Sequence, residues 1–217
     1  MKVLLLGDSW ATGLGLEQRL LERNHTVFNK AIYGGSNFYT LEKGIDFQKT
    51  VKHLFELDLI IFFNTDYCRD LHGYYFNDKY PIKPKTFNEA MDKILEVVME
   101  RINTLRNGAK NAKWAVIGGH AGLYKEEDWK FADFLIVNYR EELLNKKMPI
   151  CHTITFYEEY FSKFKFLFDA ETINSELDKI QFIIDEFQKR RDVSKDGIHP
   201  NLDIELKLID RILDQVE

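Results

Sequence analysis

The chain has 217 residues, about the size of one domain and long enough to bury a sizeable core. Hydrophobic residues make up 45% and charged residues 30%, with only 4 Pro and 12 Gly, which excludes a disordered, collagen-like or low-complexity chain. Lys and Arg number 30 against 35 Asp and Glu, a net charge of -5 that argues against nucleic acid as a partner.

The first apolar run, Val3 to Leu6, is continuous, as expected of a parallel strand covered on both faces, and it ends at Gly7-Asp8-Ser9. The run is too short for a signal-peptide core or a membrane span, so the expectation is a cytoplasmic protein without a spanning segment. Leu14, Leu20 and Leu21, set among Glu17, Arg19, Glu22 and Arg23, predict a helix. A second strand is expected at about His25 to Ile32. The turn Tyr33-Gly34-Gly35-Ser36-Asn37 and a helix ending near Glu56 follow it. Leu57 to Phe63 reads as a third, buried strand.

Thr86-Phe87-Asn88-Glu89 has capping-box spacing, and Met91, Ile94, Leu95, Val98, Ile102 and Leu105 follow at helical period up to Asn107-Gly108. Trp114 to Ile117, ending in Gly118-Gly119, predicts the fourth strand. A helix over Lys125 to Asn145 and a fifth strand at Pro149 to Ile154 come next. Ile204, Leu208, Ile209, Ile212, Leu213 and Val216 form the stripe of a last helix. Strands alternating with helices predict a three-layer α/β/α sandwich around a mostly parallel five-stranded sheet, in one domain.

Cys68 and Cys151 are far apart in sequence and read as free thiols in a reducing compartment. Thirteen of the 30 aromatic residues fall in two stretches. One is Tyr67 to Phe87, read as an insertion or lid over the site; the other is Phe156 to Phe168, in a region of extra helices at 155–192, where packing is the favoured reading.

In a parallel sheet, ligands bind beyond the carboxyl ends of the strands, so the loops there are where chemistry is sought. Ser9 directly after a buried strand would expose its hydroxyl and free its N–H for an oxyanion, although Asp8 and Ser9 are equally good helix caps. Asp196-Gly197-Ile198-His199-Pro200 offers an imidazole and a carboxylate three residues apart, which is what a serine nucleophile needs; a polar turn closed by Asp196 is the plainer reading. Gly34 could turn an N–H toward an oxyanion, and Asn64 or Thr65 could add a side-chain donor. Gly13-Leu14-Gly15 is no dinucleotide fingerprint, because Gln18 stands where the third glycine belongs. Cys68 and His72 are four apart, but no second close pair completes a zinc site.

Taken together, Gly7-Asp8-Ser9, Gly34 within Asn29 to Asn37, Phe63-Asn64-Thr65-Asp66 and Asp196-Gly197-Ile198-His199-Pro200 resemble the four sequence blocks of the SGNH hydrolase superfamily, the GDSL esterases and lipases. The third block departs from the family's Gly-x-Asn-Asp. Thr65 stands at the Asn position, and Arg69 shortly after is similar to some virus-encoded and envelope-modifying members.

The resemblance implies a flavodoxin-like sheet carrying Ser9 as nucleophile, His199 as base and Asp196 as its orienter. Ser9, Gly34 and Asn64 or Thr65 would line the oxyanion hole, and Trp10, Tyr67, Arg69 and His120 would contact substrate. It implies a serine esterase needing no cofactor or metal, acting through an acyl-enzyme on a small acyl group such as acetyl, carried by a carbohydrate or other polar small molecule. An acyltransferase, and a non-catalytic carbohydrate-binding or virion-associated module that keeps the fold, are the alternatives.

Overall fold

The computed structural model describes residues 1–12, 14–75, 79–80, 83–119, 122–151, 164–190, 199 and 201–216. In chain order the elements are β1 (Lys2–Leu6), α1 (Leu14–Glu22), β2 (Thr26–Asn29), α2 (Asn37–Val51), β3 (Leu59–Asn64), α3 (Cys68–Tyr75) and α4 (Phe87–Gly108). Then come β4 (Lys113–Gly118), β5 (Phe134–Ile136), α5 (Tyr139–Leu144), α6 (Ala170–Lys189) and α7 (Leu202–Val216). The five strands form one parallel sheet in the order β2-β1-β3-β4-β5.

Both faces of this sheet are covered, which is why its central strands are apolar throughout. Leu4, Leu6, Ile60, Phe62, Trp114 and Val116 point to one side, where Phe38 and Leu41 of α2 and Met91, Ile94 and Val98 of α4 meet them. Val3, Leu5, Ile61, Phe63 and Ile117 point to the other, against Leu16 and Leu20 of α1 and Leu208, Ile209, Ile212 and Leu213 of α7. The period of two along each strand thus separates two cores.

Helix α4 begins as its sequence predicts. The Thr86 hydroxyl accepts from the Glu89 N–H at 3.3 Å, and the Glu89 carboxylate reaches back to the Lys85 N–H at 2.8 Å.

The fifth strand is not where its apolar run suggested. It is Phe134–Ile136, inside the stretch expected to be one helix, which is broken into a 3-10 turn at Glu126–Trp129, strand β5 and the short α5. Residues 149–151 are irregular, and 152–154 lie outside the described residues.

The aromatic surplus is also placed differently. Tyr67, Tyr74, Tyr80 and Phe87 are buried with Phe164 and Phe168 in the core beneath α2 and α4, where Tyr74 stacks on Tyr80 at 4.8 Å and Phe87 meets Phe168 at 4.8 Å. These rings thicken a core.

The outer pair α1 and α7 run in parallel. A Cβ on Gly15 would run into Leu202 and lie within 3.4 Å of Leu206, while Arg19 grips Asp210 through two bonds of 3.0 Å, and Arg23 reaches Asp210 at 2.8 Å and Asp214 at 3.3 Å. Each step of four on α1 is answered by a step of four on α7, as parallel helices require.

Gly7 turns the chain out of β1 with φ of +144°, and a Cβ there would stand 2.7 Å from the Phe63 Cβ and 2.8 Å from the Ala11 Cβ. Backbone strain and overpacking therefore act together, and Gly7→Ala is expected to lower stability by roughly 2–4 kcal/mol in urea denaturation. A midpoint unchanged from the parent would contradict this account of the turn.

Candidate functional site

The loop after β1 is closed by its own first residue. The Asp8 carbonyl accepts from the Ala11 and Thr12 N–H groups, each at 3.0 Å, and the Asp8 carboxylate accepts from the Trp10 N–H at 3.0 Å. Asp8 thereby closes the turn, and the neighbouring Ser9 hydroxyl takes another partner. That partner is His199, whose Nε2 lies 2.9 Å from the Ser9 Oγ across 190 positions of sequence. Ser9 is 9% exposed and His199 half-buried, so the pair is at the surface edge of the sheet.

Trp10 is the wall behind this pair. It is 2% exposed, with its ring centroid 6.3 Å from that of His199 and 5.6 Å from that of Tyr139 in an edge contact. The Arg140 guanidinium lies over the Trp10 ring at 5.3 Å and within 5.6 Å of the Phe187 ring. Burial pulls the Arg140 pKa down to about 10, and its charge is held up by Cys151, Asp66 and Asp8 nearby. Trp10 is thus buried between the imidazole and Tyr139. Tyr67 is fully buried, and its phenol pKa is pushed up by burial.

The end of β3 supplies a buried polar network. Thr65 Oγ1 donates to the Asp8 carboxylate at 2.8 Å, and the Asn64 amide donates to the carbonyls of Thr65 at 3.0 Å and Gly122 at 3.3 Å. Both side-chain donors offered by this strand end are therefore engaged inside the fold. Asn37 accepts from the Thr65 N–H at 2.9 Å and donates to the Thr65 carbonyl at 3.2 Å and to Asp70 at 2.9 Å.

Asp70 also receives the Phe38 N–H at 2.8 Å. Its burial raises the carboxyl pKa to about 7, against the donors of Phe38, Ser36 and Asn37 that favour the charged form. Asn37 and Asp70 were absent from the candidates, although Asn37 closes the turn that holds Gly34.

Arg69 spans two loops. Its guanidinium bonds the Asp8 carboxylate at 2.9 Å and the Gly35 carbonyl at 3.3 Å and pairs with Asp66 at 3.3 Å, while 14% of the side chain stays exposed. Gly34, exposed and with φ of +70°, has open space where a Cβ would stand. The loop is tied back to Gly7, whose carbonyl accepts the Ile32 N–H at 2.9 Å and the Thr40 hydroxyl at 3.0 Å.

Asp196 and His120 lie outside the described residues. Among the described residues no group of three or more His, Cys, Asp or Glu is arranged to hold a metal ion, and no helix is long and apolar enough to cross a membrane.

No protein-family model matches the chain, and no curated protein matches it. Among solved structures it is similar to TesA, at 14% identity and TM-score 0.47 over 100% of this chain and 98% of that one. It is similar to the acetyl xylan esterase AlAXEase at 14% identity and TM-score 0.48, over the whole of both chains. The psychrotrophic esterase EstA from Pseudoalteromonas sp. is similar at 13% identity and TM-score 0.40, over 99% of this chain and 96% of that one. The chemistry is therefore read from this chain's own residues.

The Asp70 network has a pH signature. An acid with a folded pKa near 7 binds its proton on folding between the ordinary carboxylate range and that value, so its contribution to stability is full below this window and falls as pH rises through it. Asp70→Asn orphans a buried donor and is expected to cost roughly 1–3 kcal/mol at pH 5, with the gap to the parent narrowing toward pH 8. Thermal melts across that range check it, and a gap that widens with pH would contradict it.

Proposed function

We propose that the chain is a serine ester hydrolase with Ser9 as nucleophile and His199 as general base. The observation that carries this reading is the 2.9 Å approach of His199 Nε2 to Ser9 Oγ. Two residues from opposite ends of the chain meet at the carboxyl edge of a parallel sheet, the edge at which such sheets bind ligands.

In the reaction the Ser9 oxygen attacks the ester carbonyl carbon while its proton passes to His199 Nε2, and the carbonyl electron pair moves onto oxygen. The N–H groups of Ser9 and Gly34 receive that oxyanion. Collapse expels the alcohol, which takes the proton from His199, and leaves the acyl group on Ser9. Water then attacks, giving its proton to His199. The carboxylic acid departs as the Ser9 oxygen regains its proton. To Asp196, three residues before His199 in sequence, we assign the role of orienting the imidazole and stabilising its cation.

The substrate we assign is a small acyl ester, such as acetyl, on a carbohydrate or similar polar alcohol. Two observations favour it. Asp8, next to Ser9 in the chain, gathers the polar side chains of Thr65 and Arg69, and Tyr33, 77% exposed beside Gly34, offers a ring face on which a sugar could stack.

Hydrolysis of p-nitrophenyl acetate tests the assignment. Ser9→Ala and His199→Ala are each expected to lower kcat by about 10³-fold or more, with the double variant no worse than the poorer single one. Undiminished hydrolysis by folded Ser9→Ala would overturn it.

A further inference from the structure

We propose that Asp70, acting through Asn37 and the first turn of α2, is the positioning residue for the Gly34 N–H that receives the oxyanion formed at Ser9; the inference rests on the ester-hydrolase reading above. An oxyanion donor lowers a barrier when it is aimed beforehand at the place where charge develops. Gly34 does not aim itself. It is exposed, nothing lies within 4 Å of the place a Cβ would take, and among the described residues its N–H meets no acceptor. Its direction is set by the chain on either side.

On the near side, the Gly35 N–H donates to the Ile32 carbonyl at 2.8 Å, and Gly34, at the third position of this turn, has the φ of +70° that a type II turn requires there. The Gly34 N–H belongs to the central peptide of the turn. The turn is fixed to the β1 loop by the Ile32 N–H, which donates to the Gly7 carbonyl at 2.9 Å.

On the far side, α2 begins at Asn37, three residues after Gly34, and Asp70 of α3 holds that start. Its two carboxylate oxygens accept from the Asn37 amide at 2.9 Å and the Phe38 N–H at 2.8 Å, and the Ser36 hydroxyl bonds it as well. Asn37 passes the hold to the end of β3, accepting the Thr65 N–H at 2.9 Å and donating to the Thr65 carbonyl at 3.2 Å. Asp70 is 0% and Asn37 1% exposed, so water does not replace these bonds. Arg69 on the Gly35 carbonyl and Thr40 on the Gly7 carbonyl add single ties, whereas Asp70 gathers three consecutive residues. The task suits a carboxylate. An amide in its place offers one acceptor oxygen for two, and its own N–H groups would face Asn37 or Phe38 donor against donor.

The test is steady-state hydrolysis of p-nitrophenyl acetate by variants whose fold is confirmed by circular dichroism, at pH 8, where the stability gap between Asp70→Asn and the parent is expected to be smallest. Asp70→Asn is expected to lower kcat about tenfold with KM within about threefold, the mark of a donor misaimed in the transition state. Phenylboronic acid, held as a tetrahedral adduct of the Ser9 oxygen, should lose affinity by about the same factor as kcat/KM. Ile102→Val is the control: it opens a small cavity near the end of α4, toward the opposite edge of the sheet, and should keep kcat within about twofold of the parent. Should Asp70→Asn not fold, Ser36→Ala decides, because it removes one of the bonds to Asp70 at a half-buried position; kcat about fivefold lower at unchanged KM is expected.

Parent-like kcat in folded Asp70→Asn, or in Ser36→Ala where that variant decides, would overturn the inference and leave the hydrolase reading intact. So would a loss in Ile102→Val as large as that in Asp70→Asn, or unchanged boronate affinity. Absence of Ser9-dependent hydrolysis in the parent protein would overturn the hydrolase reading, and the inference with it.

Discussion

Helices α1 and α7 are separated by nearly the whole chain, yet they pack side by side in a fixed parallel register. Gly15 faces Leu202 and Leu206, Arg19 faces Asp210, and Arg23 faces Asp210 and Asp214. The small residue lets the helices approach, the apolar faces of Leu16, Leu20, Leu208, Ile209 and Ile212 supply the attraction, and the Arg–Asp pairs select the register. The pairs are partly exposed and contribute little energy individually, so their role is alignment. His199, three residues before α7, meets Ser9, five residues before α1, at 2.9 Å. The contact between Ser9 and His199 thus lies just beyond the N-terminal ends of the two packed helices.

A second constraint acts on the inner side of the same loop. The Asp8 carboxylate is 1% exposed, and a polar group taken out of water at the rim of an apolar sheet must find donors within the fold. It finds the Trp10 N–H, the Thr65 hydroxyl and the Arg69 guanidinium, and these three bonds tie the β1 loop to the end of β3 and, through Gly35, to the loop after β2. Asn37 and Asp70 repeat the arrangement one layer further in. The loop carrying Ser9 is thus held on one side by aromatic packing on Trp10 and on the other by a polar network, which is how a hydroxyl on a loop acquires a defined position.

Much of this was legible in the sequence where the signal is local. The continuous apolar runs of β1, β3 and β4, the capping box at Thr86 and Glu89 and the stripe of α7 each depend on residues a few positions apart, and each emerged with bounds within a few residues. Strand β5 did not, because three residues at a sheet edge carry too little pattern to stand out from the helical surroundings of Glu126 to Leu144. The place of the aromatic rings in Tyr67 to Phe87 was hard to read for a different reason: a ring in a long connection between a strand and a helix looks the same whether it covers a site or fills a core. Ser9 and His199 were proposed from residue type and order along the chain, and in the fold their side chains lie 2.9 Å apart. The network of Asn37, Asp70 and Arg140 was not, since its contacts join positions 28 to 33 apart or pass through ring stacking that no spacing encodes.

Covalent capture by an electrophile reports whether Ser9 and His199 act as a reacting pair. Incubating the protein with a fluorophosphonate and locating the adduct by peptide mass spectrometry is expected to give one equivalent on Ser9, formed far more slowly when His199 is replaced by alanine. Modification of a different residue, or no modification of the folded protein, would contradict the assignment of Ser9 and His199 as a reacting pair.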